Sequence, residues 1–165
     1  RIAFLLMLPV GLHLMAGLNI IPADAMHLGG AWVIALSLLA VNIAAAKNMG
    51  TPRGVKLQKL NWALLSLVGL ILIGLGVMGL VAPDSKLPAW LATKLVLYGV
   101  VYFFAIGIDY GFAPIGGQIA QLQSEGSSPE LEARISKTVS RTLFSVYGVY
   151  AGALLAALFG IAKFY

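Results

Sequence analysis

Cysteine is absent, histidine occurs twice, and aspartate and glutamate together number only 6 in 165 residues. Without cysteine there can be no disulfide, no thiolate metal site and no cysteine nucleophile, and the redox compartment is left open. Charge is scarce as well: 10% of residues are Asp, Glu, Lys or Arg, against about 25% in an ordinary soluble domain. A soluble fold of this length would need far more polar surface to cover itself. The shortage therefore points to lipid as the solvent for most of the surface. The strand-like alternation of a membrane barrel is missing, as are internal repeats and low-complexity tracts.

What is present is largely apolar. Hydrophobic residues make up 60% of the chain, and five stretches approach the roughly 20 residues needed to cross the hydrocarbon core. They cover residues 2–21, 28–46, 61–82, 89–112 and 142–164. Lipid-exposed backbone has to satisfy its own hydrogen bonds, so these spans must be helices. The expected fold is an all-α, polytopic transmembrane bundle of about five spans in a single domain. Ala23-Asp24-Ala25 resembles a signal-cleavage site, but the apolar stretch before it exceeds the usual core of about 7–15 residues. It is read as a retained span.

The net charge of +5 is distributed in a way that suits lipid headgroups rather than nucleic acid. Lys47, Arg53, Lys56 and Lys59 crowd the second connection, and Arg134, Lys137 and Arg141 the fourth, beside Glu125, Glu130 and Glu132. The other connections hold Asp24, and Asp84 with Lys86. The positive-inside rule then places the N-terminus in the cytoplasm and the C-terminus in the periplasm of a bacterial inner membrane. Trp62, Trp90, Tyr110 and Tyr165 fall near the interfaces, where amphipathic rings prefer to sit.

Residues 114–141 are expected to form a cytoplasmic hairpin extension. Ser128-Pro129-Glu130 has the form of a helix start, with a capping serine, proline in the first turn and acids near the positive dipole end. One helix should run from there to near the C-terminus, with Ile119, Ala120 and Leu122 packing on it. Gly116-Gly117 lacks the strand and the Lys-Ser/Thr of a phosphate loop and reads as a turn. In the last span Gly148, Gly152, Ala156 and Gly160 recur every four residues, a ribbon that lets helices approach closely. It serves either packing inside the bundle or docking of another subunit or a second copy.

Ionisable groups at membrane depth are costly and so are candidate sites. His13 lies in the first span; it can be a haem or metal ligand, a proton-relay member, or a neutral ring bonded to a neighbouring helix. His27 opens the second span, either as a ligand or as an interfacial ring. The two lie at different depths and do not suit one bis-histidine haem. Met15, Met26 and Met78 add thioethers that suit Cu(I), or simply apolar filling. Lys94 can snorkel or hold an anionic group such as a haem propionate, a quinone oxygen or a lipid phosphate. Asp109 is expected to pair with Arg141 or Lys59, with proton uptake as the alternative. Asn19 and Asn42 are expected to bond across helices. No serine triad, His-Glu-x-x-His or carboxylate pair assembles.

Met26-His27-Leu28-Gly29-Gly30-Ala31-Trp32, opening the second span, and Lys94-Leu95-Val96-Leu97, opening the fourth, resemble the copper-resistance D superfamily of bacterial membrane proteins. That group includes relatives of the haem-binding membrane protoporphyrinogen oxidase. The His27-to-Trp32 spacing is shorter than the family's usual one. The resemblance covers residues 26–112 and implies haem b or copper handling, with His27 and Lys94 as ligand or anchor. Apart from the resemblance, the lack of a catalytic set and the ribbon of small residues suggest a non-catalytic accessory subunit of a larger bacterial membrane complex, such as one of respiratory or oxidase type. Bulk at Gly152 would then detach it from its partners. A small membrane transporter is the third reading.

Overall fold

The computed structural model describes residues 2–162 apart from Pro83 and Lys86. Tyr165, expected at an interface, and residue 164, expected to end the last span, lie outside the described residues. The described chain is all-α: α1 (Ile2–Gly17), α2 (Ala25–Lys47), α3 (Pro52–Val81), α4 (Ala89–Phe112), α5 (Ile115–Glu125) and α6 (Pro129–Ala162). Four helical stretches are long and apolar enough to cross a membrane: α2, α3, α4 continued by α5, and α6.

The first expected span is shorter than its sequence suggested. α1 ends at Gly17 rather than Ile21, because Asn19 takes a left-handed φ of 54°, a conformation that asparagine tolerates and that a right-handed helix cannot contain. Asn19 thus closes α1 instead of bridging helices within it. Sixteen residues rise only about 24 Å.

The basic second connection is mostly helix. Only residues 48–51 separate α2 from α3, so Arg53, Lys56 and Lys59 ride on the first turns of α3, nine residues before the expected start at Asn61. Thr51 explains the early start: its Oγ1 accepts the Gly54 N–H at 3.0 Å, capping the helix, and Pro52 fits the first turn. The corner is tight. Gly50 is left-handed at φ 81°, and a Cβ on Gly54 would collide with the Asn48 carbonyl.

The chain divides into two compact units, Arg1–Leu65 and Ser66–Tyr165. In the first, α1 lies against α2, with Leu5, Pro9, Ala35 and Leu38 buried. In the second, the remainder of α3 crosses α4 at glycines. A Cβ on Gly99 would lie 2.6 Å from the Gly69 carbonyl oxygen, and one on Gly76 would lie 2.6 Å from that of Ala92. Only residues without side chains permit backbones this close.

α4 and α6 pack most extensively, and each is notched for the other. A Cβ on Gly148 would strike the Phe104 ring, and one on Gly152 would strike Val101. Conversely, Gly107 and Gly111 on α4 receive Ser145 and Thr142 from α6. Ala156 is buried in the same face. The ribbon expected to serve packing or docking is filled by the chain's own α4.

Beyond Phe112 the path stays nearly helical through Ala113 and Pro114 into α5. Gly116 and Gly117 are therefore the first residues of a helix, not a turn. The turn lies at residues 126–128, where Gly126 takes φ 83°. Ser128 Oγ then accepts the Leu131 N–H at 3.3 Å, and α6 runs 34 residues from Pro129. Leu131 and Thr142 are buried in this arm, and Gln118 and Leu122 are half-buried. Ile119 and Ala120 are exposed, contrary to expectation. They lie on the outer face because the helix turns 100° per residue and Gln118 and Leu122 already occupy the inner one.

Candidate functional site

The residues singled out in the first unit fall into two settings. His27 belongs to a cap at the head of α2: Asp24 Oδ1 accepts the His27 N–H at 2.9 Å and lies 2.6 Å from its ring Nδ1. The backbone N–H of His27, and then its ring, hold the Asp24 carboxyl below its ordinary range. Both side chains are exposed, as is the neighbouring Met26. His13 lies deeper. Its Nδ1 is 3.3 Å from the Pro9 carbonyl oxygen, and its ring meets Trp32 edge-on at 6.2 Å. Trp32 follows His27 by about 7.5 Å of helix rise, so His13 is held beside the ring below His27. Met15 is half-buried in α1.

Asn61 is wholly buried in the same unit, and neither atom of its amide has a hydrogen-bond partner among the described residues. Such a group ordinarily costs about 1–3 kcal/mol.

In the second unit, Lys94 turns its ammonium toward α6, 3.0 Å from where a Cβ on Gly160 would stand. Gly160 thus makes room for a cation, a role that its place in the ribbon did not disclose. Met78 is exposed on α3. Among the described residues, no group of three or more His, Cys, Asp or Glu comes together.

Polar side chains converge at the other end of α4. A pocket of about 470 Å³ opens where the α4–α5 bend faces α6, lined by Tyr110, Pro114 and Gln118 on one side and Arg134, Lys137, Thr138 and Arg141 on the other. Pro114 stands at the break between α4 and α5. Across the pocket, Gln118 Nε2 donates to Thr138 Oγ1 at 3.0 Å, and Thr138 Oγ1 donates to the Arg134 carbonyl at 3.0 Å. Arg134 also donates to Gln121 Oε1 at 3.0 Å. Arg141, expected to pair with Asp109, is one of the lining cations, while Asp109 is half-buried next to Tyr110.

Three cations therefore share one pocket whose lining residues include no acid. Their sequence spacing, three and then four, carried the signal, since it puts them on one face of a helix. Gln118 could not be found that way, because its place depends on the bend at Pro114. No protein-family model, curated protein or solved structure matches this chain.

Proposed function

We propose that this chain is a non-catalytic accessory subunit of a larger bacterial membrane complex, docked through the face of α6 that points away from α4. The observation that carries this reading is the position of two phenols. Tyr147 and Tyr150 are 64% and 63% exposed on that face. They follow Arg141, the last charged residue before the apolar part of α6, by about 9 and about 13 Å of helix rise. Even leaning toward the helix N-terminus, as helical side chains do, the Tyr150 hydroxyl stays at hydrocarbon depth. Lipid tails offer no acceptor there, and an unsatisfied polar group in hydrocarbon costs several kcal/mol. A neighbouring transmembrane helix with a serine, threonine or amide side chain would supply one. Leu154 extends the face toward the C-terminal end.

In this reading the basic first turns of α3 and α6 face the cytoplasm. Native mass spectrometry of gently extracted membranes should release the chain with other membrane subunits. The double variant Tyr147→Phe, Tyr150→Phe should reduce that bound fraction on the order of tenfold, given about 0.6–1.7 kcal/mol per interhelical hydrogen bond. A chain that leaves the membrane bare, with both tyrosines intact, would remove the proposal.

A second reading, haem or copper handling of the copper-resistance D type, is favoured by the Asp24–His27 contact. A histidine whose Nδ1 is held by a carboxylate presents Nε2 as an oriented ligand, the usual second partner of metal-bound imidazole. On this reading the isolated chain carries haem b or copper, and His27→Ala loses it. Full cofactor retention in that variant would take His27 out of the site.

A further inference from the structure

We infer that the pocket between the α4–α5 bend and α6 binds a phosphate ester that carries a free hydroxyl, the chemistry of a glycerophosphate head. This does not depend on the docking face of α6.

The charge comes first. Arg134, Lys137 and Arg141 all line the pocket and lie at helical spacings that bring like charges side by side, which destabilises a helix unless an anion intervenes. Of the acids nearest in sequence, Glu125, Glu130 and Glu132, none lines the pocket. Glu125 accepts from Gln121 Nε2 at 2.7 Å, and Glu132 accepts from Ser127. Asp109, beside Tyr110, contributes one negative charge against three positive ones. Two guanidinium forks and an ammonium suit an anion with several acceptor oxygens around one centre, which is what a phosphate offers.

Gln118 narrows the class. Its Nε2 is used by Thr138, whereas its Oε1 is buried without a partner among the described residues. A buried acceptor calls for a donor, and a phosphate diester has none of its own. A hydroxyl on the second or third carbon of the esterified alcohol would supply it. The volume, about 470 Å³, exceeds what phosphate alone fills and lies within the ordinary range for small-ligand sites. The location agrees, because the apolar run of α4 ends at Phe112 and that of α6 begins at Thr142. The pocket therefore lies at the level of lipid headgroups, where a head could enter with its tails in the bilayer.

The test uses the full chain, delipidated in a neutral detergent, with ligand binding read by native mass spectrometry and thermal shift. Short-chain phosphatidylglycerol should bind at least tenfold tighter than phosphatidylcholine. It should also bind tighter than phosphatidylmethanol, which has the same charge and no hydroxyl. Arg134→Gln and Lys137→Gln should each weaken phosphatidylglycerol binding roughly fivefold. Both side chains are exposed, so unliganded stability should hold or rise as repulsion is relieved, which separates lost binding from misfolding. sn-Glycerol 3-phosphate distinguishes the sources: competition at equal concentration identifies a soluble ester as the ligand, and failure to compete identifies the lipid head. Phosphatidylmethanol binding as tightly as phosphatidylglycerol would overturn the assignment to Gln118. Unchanged binding in the two cation variants would overturn the site.

Discussion

Gly76→Ala should cost this protein about 2–3 kcal/mol, the upper part of the range for overpacking a tight contact. The new Cβ would stand 2.6 Å from the Ala92 carbonyl oxygen and 2.9 Å from the Val96 nitrogen. These are backbone atoms within the first turns of α4 and cannot swing aside as a side chain tip can. α3 and α4 would have to separate along the crossing, and Gly69 and Gly99 would lose their contact as well. Gly74→Ala is the matched control. It lies two residues away on the same helix, has nothing within 4 Å, and should stay within about 0.5 kcal/mol of the parent. Unfolding of both variants in mixed micelles, followed by circular dichroism, makes the comparison. Equal stability of the two would falsify the close crossing of α3 and α4.

Gly152→Leu should destabilise the chain itself before it affects any partner. Its Cβ would fall 2.4 Å from Cγ2 of Val101, and the rest of the leucine would need space that the α4–α6 seam does not have. A loss of about 2–3 kcal/mol is expected. Val101→Ala opens the opposing side and should restore part of it, with a coupling on the order of 1 kcal/mol between residues in contact. A variant that keeps its stability in micelles but leaves its complex would return the ribbon to a docking role. The two glycine experiments thus separate packing within the chain from association with others.

Most of the architecture was legible because the bilayer imposes a coarse rule on sequence. A run of apolar residues bounded by charge or proline identified α2 and α4 within a few residues, and the Ser128-Pro129-Glu130 start gave α6. The rule failed where local chemistry decided the boundary. Asn19 stops α1 early through its backbone conformation, and the Thr51–Pro52 cap starts α3 among residues too basic to resemble a span. Gly116-Gly117 looked like a turn because glycine is a poor helix former. The helix persists there because Ala113 and Pro114 keep helical angles. The polar sites were harder. His27 and Lys94 could be named from sequence, but not the Asp24 cap that holds one or the Gly160 gap that admits the other. The pocket needs residues on both sides of a bend, and no spacing within one segment reports that.

The mutual notching of α4 and α6 also fixes their alignment along the membrane normal. Glycine or alanine at every fourth position would by itself resemble a ratchet, since a slide of one turn sets Val101 over Ala156 and Phe104 over Gly152. The seats on α4 break that equivalence. After such a slide Gly107 and Gly111 would face Val149 and Val146, whose branched side chains exceed the serine and threonine now seated there. A slide the other way brings Arg141 into the apolar seam, opposite Gly107. Only one setting satisfies both helices, so the small residues that permit close approach also exclude the neighbouring stops, and α6 can enter the bundle in a single phase.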